Sequence, residues 1–360
     1  MSELEHKERR ARLQHLLEEV GLDALIVFSP ANIRYLSGFT GSNGLLLAHG
    51  AEAILITDPR YEMQAAEQTD CRVKVARGPL LKALQALLGR LQARRLGFES
   101  AHVRYAAYRA LAASVPAQIR LRPQEGLVEE LRAVKSAAEI GKIRASMETC
   151  QAAFSEAIRR ARPGVTEFEI AAELDYQMRK RGAERPAFDT IVASGPRSAL
   201  PHAAPSTRTL KAKELLLVDM GAQRDGYASD MTRVAWLGRI SRKAARLHRA
   251  VLEAQLAALD HVRAGRSAAA VDRRARQVLR AHGLDGYFTH STGHGLGLEI
   301  HETPRLGRGE RRRLEAGMVI TIEPGVYMER FGGIRIEDTV VVTRTGSENL
   351  TRIPKELIEL

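Results

Sequence analysis

From residue 162 onward, one arrangement of residues occurs twice, about 100 residues apart. Arg162-Pro163-Gly164-Val165-Thr166 leads into a helical stretch that ends near Gly182, and Arg263-Ala264-Gly265-Arg266-Ser267 leads into one that ends near Gly283. A polar loop follows each helix and places a histidine three residues before a proline, His202 before Pro205 and His301 before Pro304. Each copy then has an apolar strand closing on a carboxylate and a nearby glycine: Leu216-Leu217-Val218-Asp219-Met220-Gly221 and Val319-Ile320-Thr321-Ile322-Glu323-Pro324-Gly325. A returning strand delivers a second carboxylate, Asp230 in one copy and Glu337 in the other. Glycine ahead of a Ser or Thr helix cap is common in unrelated proteins. The order of the elements, occurring twice, is what implies two similar halves converging on one site. An antiparallel hairpin with helices on one face would pack against its copy as an α+β sandwich.

Ahead of this duplication the pattern is different. Ala24-Leu25-Ile26-Val27-Phe28, Gly44-Leu45-Leu46-Leu47-Ala48 and Ala53-Ile54-Leu55-Ile56-Thr57 read as strands, as do Arg72-Val73-Lys74-Val75 and Arg95-Leu96-Gly97-Phe98. Helical patterns over 60–68, 79–93 and 104–113 complete a small α/β layer domain. The pattern breaks around Leu121-Arg122-Pro123-Gln124-Glu125-Gly126, and a capping box at Ser136-Ala137-Ala138-Glu139 opens a long helix beyond it. The expected domains are therefore 1–124 and 125–360.

The chain of 360 residues, 44% hydrophobic and 27% charged, has an ordinary globular composition. Met1-Ser2-Glu3-Leu4-Glu5 is acidic where a signal peptide would be basic, and no run approaches the ~18 apolar residues that a membrane span needs. Only Cys71 and Cys150 occur, far apart and outside any metal-thiolate spacing, so a reducing cytoplasm is the expected compartment. The net charge of +12 concentrates in Arg273-Arg274-Ala275-Arg276 and Arg311-Arg312-Arg313. Aromatics are only 5% and do not interleave with these runs, so they read as solvated faces, and neither nucleic acid nor membrane is an expected partner.

Asp219 and Glu323 each follow several apolar residues, where an unpaired buried carboxylate costs several kcal/mol. One such acid alone is answered by an arginine or by exposure. Four that converge without as many buried bases need shared protons or a divalent cation. His294, in Thr292-Gly293-His294-Gly295-Leu296-Gly297, projects from a glycine-rich turn that lacks the dinucleotide-binding spacing. Four carboxylates and one imidazole form an oxygen-rich shell suited to two divalent ions about 3.5–4 Å apart that would generate a bridging hydroxide, with Mn²⁺ or Co²⁺ favoured over structural Zn²⁺.

The strings Val218-Asp219-Met220-Gly221, Ser229-Asp230-Met231-Thr232-Arg233, Thr292-Gly293-His294-Gly295, Ile322-Glu323-Pro324-Gly325 and Gly333-Ile334-Arg335-Ile336-Glu337-Asp338 resemble the five metal-binding motifs of the pita-bread metallopeptidases, family M24. Within that family the chain resembles the Xaa-Pro aminopeptidase and prolidase branch. Asn32-Ile33-Arg34-Tyr35-Leu36-Ser37-Gly38-Phe39 is similar to that branch's creatinase-like N-terminal domain, and Leu350-Thr351-Arg352-Ile353-Pro354 to its C-terminal end. The resemblance implies a pita-bread domain preceded by a small α/β domain, a homodimer, and proline-containing peptides as substrate. It implies two divalent ions, Mn²⁺ first with Co²⁺, Zn²⁺ or Fe²⁺ as alternatives. Asp219 would hold one ion, Asp230 and Glu337 would bridge both, and His294 and Glu323 would complete the other. His202 and His301 would contact substrate and steady the tetrahedral intermediate, with Glu323 as proton shuttle. His290, Tyr327 and Arg335 match further substrate-binding positions; hydrogen bonding, packing and ion pairing are their alternative roles.

The leading expectation is an aminopeptidase that removes one residue ahead of proline. An Xaa-Pro dipeptidase, the alternative, would add an arginine for the free proline carboxylate, with Arg34 as one source. A methionine aminopeptidase usually lacks the N-terminal domain, creatinase-like hydrolases lack the ligands, and a non-catalytic binding module would have only the basic charge to support it.

Overall fold

The computed structural model describes residues 3–360, which form two compact units that divide between Arg132 and Ala133. In the first, six strands form one mixed sheet in the order Arg72–Val75, Glu52–Thr57, Gly44–His49, Ala24–Val27, Arg95–Glu99, Arg120–Gln124. Ala24–Val27 lies inside the sheet with every residue buried, consistent with its unbroken apolar run. All five expected strands form, and helices occupy Glu62–Gln68, Leu80–Leu88 and Tyr105–Ser114.

Three elements of this unit depart from the sequence reading. Arg120–Gln124 is a strand, at the sheet edge, where Pro123 removes no ladder bond that a central strand would need. Pro30–Ser37 is a helix capped by the Ser29 side chain and closed by Gly38 at φ 80°. Glu3–Glu19 is a helix whose buried face mixes Leu13 and Leu17 with His6, Arg9 and Arg10, so no uniform apolar stripe marks it in the sequence. Besides the two leucines it is held by polar anchors: Arg10 pairs with Asp70 at 2.6 Å and donates to the Leu36 carbonyl at 2.8 Å.

The second unit opens on the helix Ala137–Ala157, whose capping box is complete: Glu139 N–H donates to Ser136 Oγ at 3.2 Å and Ser136 N–H to Glu139 Oε2 at 2.9 Å. The duplication is real in three dimensions. Helices Glu167–Lys180 and Ala268–Ala281, 14 residues each, follow Thr166 and Ser267. Gly164 and Gly265 (φ 95° and 84°) precede them, and Gly182 and Gly283 (φ 92° and 69°) end them in left-handed conformations that disfavour a side chain. Backbone bonds repeat as well: Gly164 to Leu210 and Leu210 to Val165 in one half, Gly265 to Leu314 and Leu314 to Arg266 in the other. Each half also supplies one longer helix, Ala137–Ala157 or Arg242–His261.

Two sheets carry the site. One is ordered Ile358–Glu359, Met231–Trp236, Leu215–Met220, Ile191–Ser194; the other Ser347–Asn349, Asp338–Val342, Val319–Ile322, Gly293–Gly295, Glu302–Leu306. Leu217, Val234, Val251, Ala254, Val271, Leu279, Ile320 and Val340 share one buried core beneath them. Each large member of that core contributes about 1.5–3 kcal/mol by burial.

Strand register corrects one detail of the duplication. Met220 pairs with Met231, and Ile322 with Asp338. Counted from Asp230 and Glu337, the position that matches Asp219 is therefore Thr321, not Glu323: Asp219 faces Thr232, and Thr321 faces Thr339. Glu323 lies two residues further on, one full strand period, which keeps the side chain on the same face.

Candidate metal centre

The five proposed ligands gather where the two hairpins meet. Asp219 lies in the strand Leu215–Met220, Asp230 immediately before Met231–Trp236, His294 within Gly293–Gly295, Glu323 just after Val319–Ile322, and Glu337 just before Asp338–Val342. One ligand atom each of Asp230, His294 and Glu337 lies within 4.8 Å of the others. His294 Nε2 stands 3.5 Å from Asp230 Oδ2 and 3.6 Å from Glu323 Oε1. The strand that carries His294 admits glycine alone at its flank: a Cβ on Gly293 would sit 1.9 Å from the Thr321 carbonyl oxygen.

The electrostatics are lopsided. Asp219, Asp230, Glu323 and Glu337 face one buried guanidinium, that of Arg335, which donates to Asp219 Oδ2 at 2.5 Å. Burial, and then the neighbouring carboxylates, raise Asp230 and Glu337 well above the ordinary carboxylate range. Burial also raises Glu323, although His294 and Arg335 pull the other way. Asp219 Oδ1 is buried with no hydrogen-bond partner. His294 Nδ1 lies 2.9 Å from the Gly295 carbonyl, to which it donates, and this turns Nε2 toward the carboxylate oxygens as the nitrogen available to a metal. The orphaned oxygen, the raised carboxylates and this ring orientation all fit a divalent metal, and the oxygen-rich donor set suits a hard or borderline ion.

A cavity of about 730 Å³ opens over the cluster, and four of the five ligands that border it are the carboxylates. His202, His290, His301 and Arg335 line it too. The His301 and His294 rings meet edge to face at 4.4 Å, and burial followed by the charges of His294 and His202 lowers the His301 pKa. Tyr327 is not part of the cavity wall. It stands behind the wall, its hydroxyl 2.8 Å from His290 Nε2 and accepting from Arg335 Nη1 at 2.5 Å. With His290 Nδ1 donating to the Ser291 carbonyl at 2.8 Å, the phenol proton points to Nε2; burial and the Arg335 charge hold His290 neutral with a pKa of about 4. Burial raises the Tyr327 phenol to about 12.

Several participants lay outside the sequence reading. Thr232 donates to Glu337 Oε2 at 2.7 Å and accepts from Arg335 Nε at 3.0 Å, so it fixes both groups. Thr321 Oγ1 accepts the His294 N–H at 3.0 Å and donates to Glu323 Oε1 at 3.4 Å. A threonine among apolar strand residues beside a carboxylate was the available signal. Arg305 lines the cavity and pairs across the ladder with His294, which puts both side chains on one face. Arg34 belongs to the helix Pro30–Ser37 of the first unit.

Comparison with known proteins agrees with this geometry. The model of metallopeptidase family M24 matches residues 141–344, and that of the creatinase/prolidase N-terminal domain matches residues 9–134. The chain is 35% identical over 354 residues to an Xaa-Pro dipeptidase of Pyrococcus furiosus, covering 98% of this chain and 100% of that one. It superimposes on an Xaa-Pro dipeptidase from Bacillus anthracis with a TM-score of 0.96 at 38% identity, covering 99% of this chain and 100% of that one. An X-Pro aminopeptidase from Thermotoga maritima gives a TM-score of 0.91 at 37% identity, with 98% and 99% covered. Carboxylate geometry, duplicated fold and these likenesses agree: the chain belongs to metallopeptidase family M24, in its prolidase and Xaa-Pro peptidase branch.

Proposed function

We propose that this metallopeptidase is a dinuclear-metal Xaa-Pro dipeptidase, with Asp219, Asp230, His294, Glu323 and Glu337 holding two divalent ions, Mn²⁺ by preference. The observation that carries the reading is the gathering of Asp230, His294 Nε2 and Glu337 within 4.8 Å of one another, with Glu323 3.6 Å from the same Nε2 and the buried Asp219 beside them on Arg335. The dipeptidase names of the Pyrococcus and Bacillus relatives support this substrate class over the aminopeptidase expected from sequence.

Divalent ions bound there would polarise the scissile carbonyl and make water acidic enough to act as nucleophile near neutral pH. The protein's own groups do the rest. His301 and His202 border the cavity and would donate hydrogen bonds to the developing oxyanion, His301 from its neutral form. Glu323, with raised proton affinity and Thr321 at its Oε1, would carry a proton to the departing proline nitrogen. That nitrogen is a tertiary amide without an N–H, so protonation of the leaving group matters more than orientation by a donor. Arg335, locked by Tyr327, would present a fixed donor to substrate, and His290, whose two ring nitrogens are taken up by the Ser291 carbonyl and the Tyr327 hydroxyl, would hold that lock in place. Phe188, Ile191 and Ile300 supply apolar wall for a pyrrolidine ring, and Arg305 a cation for the free carboxylate of a dipeptide.

The second reading, an aminopeptidase acting on longer peptides, is favoured by the Thermotoga relative. Parallel assays of Ala-Pro and Ala-Pro-Ala separate the two. The dipeptidase reading predicts turnover concentrated on Ala-Pro and an Arg305→Met variant with KM for Ala-Pro raised about tenfold or more, the scale of one lost charge-assisted pair. Turnover of Ala-Pro-Ala alone overturns it. A homodimeric, cytoplasmic setting belongs to the same proposal. Among the described residues no helix is long and apolar enough to cross a membrane, and both cysteines are free and buried.

A further inference from the structure

Half of the basic run at 273–276 is solvated, as its composition implies: Arg273 and Arg274 are exposed. Arg276 is not. It is 8% exposed, and its partner Asp272, one helical turn earlier, is fully buried. The two pair at 2.8 Å between Arg276 Nε and Asp272 Oδ2. A guanidinium so placed has two further nitrogens to satisfy, and both reach the loop that leads to His294: Nη1 donates to the Phe288 carbonyl at 3.0 Å and Nη2 to the His290 carbonyl. Its carbon lies 4.2 Å from the centre of the Phe288 ring, a cation–π contact. Asp272 turns its other oxygen to the same loop and accepts from Thr292 Oγ1 at 2.8 Å. The helix Ala268–Ala281 thus holds the segment 288–292 at three points, on either side of His290 and two residues ahead of His294.

The grip extends to a second ligand. The Thr292 carbonyl accepts the backbone N–H of Glu323 at 2.8 Å. Among the described residues the other half of the duplication has no such device. Ala171 and Asp175 occupy the corresponding positions of the helix Glu167–Lys180, and Asp175 accepts from Thr190 at 2.6 Å. The half that supplies an imidazole ligand is therefore the half that carries the clamp.

We infer that Asp272 and Arg276 are positioning residues for one of the two metals, the one held by His294 and Glu323, and set its affinity through the 288–292 loop. This rests on the dinuclear reading above. Lysine at 276 would keep the charge opposite Asp272 but could not fork to two carbonyls. Asparagine at 272 would keep the shape but weaken both bonds that the carboxylate accepts.

The test is a Co²⁺ titration of chelator-stripped full-length protein, followed by calorimetry and visible d–d absorption, for wild type, Arg276→Lys, Arg276→Met and Asp272→Asn. In the variants one of the two Co²⁺ binding steps should weaken about 10- to 100-fold, the range for outer partners of metal ligands, with the other within about threefold. The absorption of the weakened step should change shape as the imidazole shifts. Equal weakening of both steps marks a merely structural pair and overturns the inference, as do two unchanged steps. Arg276→Lys carries the comparison if Arg276→Met does not fold. A wild type with a single step would instead overturn the dinuclear reading.

Discussion

Replacing Arg335 by methionine should destabilise the metal-free protein far more than the metal-loaded one. Arg335 is 2% exposed and donates to Asp219 Oδ2, Thr232 Oγ1, Tyr327 Oη and the Pro201 carbonyl. Asp219 Oδ1 already has no partner, so losing Arg335 leaves that carboxylate buried without a single donor. Breaking a buried pair in this way costs about 3–5 kcal/mol. With divalent ions bound, Asp219 keeps a cation, and the loss reduces to three hydrogen bonds whose partners can partly re-pair, about 1–2 kcal/mol. The assay is urea unfolding of wild type and variant, each with chelator and with saturating Mn²⁺. By linkage, a difference of about 2 kcal/mol requires the folded variant to bind Mn²⁺ roughly 30-fold more tightly, even as it loses turnover. Equal destabilisation in the two conditions, or weaker metal binding by the variant, would refute the charge argument.

Other consequences follow from the same groups. Asp230, Glu323 and Glu337 have raised folded-state pKa values, so in metal-free protein their contribution to stability is present below the ordinary carboxylate range near pH 4 and is lost as pH rises through the raised values. Metal-free protein should therefore lose stability upward from about pH 4–5 while Mn²⁺-loaded protein gains it, and thermal unfolding against pH in the two states reads the opposite slopes. His301→Ala should lower kcat about 10²- to 10³-fold with Mn²⁺ affinity unchanged; unaltered kcat would remove His301 from oxyanion stabilisation. Gly293→Ala forces a Cβ to 1.9 Å from the Thr321 carbonyl and should cost about 3 kcal/mol or more together with the His294 site; a variant with wild-type unfolding and metal binding would show that the strands part easily.

Much of this site was legible because each ligand sits at a junction with a local signature. Asp219 ends an apolar run, His294 stands between glycines, and the second carboxylates precede returning strands, so sequence order alone brought the hairpins together. What was hidden depends on partners distant in sequence. The pairing of Asp219 with Glu323 looked like a duplicated position, but register is set by turn length, and ten residues separate Met220 from its partner Met231 where fifteen separate Ile322 from Asp338. The helix Glu3–Glu19 shows no uniform apolar stripe because Arg10, buried against Asp70 60 residues away, shares the buried face with Leu13 and Leu17. Arg276 sat in a run that reads as solvated, and only the loop folded over it turns it into an interior group. Arg305 is legible as cavity lining only once its strand lies beside that of His294.

The central claim is that Asp219, Asp230, His294, Glu323 and Glu337 hold the metals on which peptidase activity depends. Ala-Pro hydrolysis by chelator-stripped wild-type protein, titrated with Mn²⁺ while bound metal is counted, tests it most directly. The account predicts no turnover in stripped protein and a rise to full activity as occupancy reaches two ions per chain. Turnover that persists without metal, or saturates at one ion per chain, would contradict it.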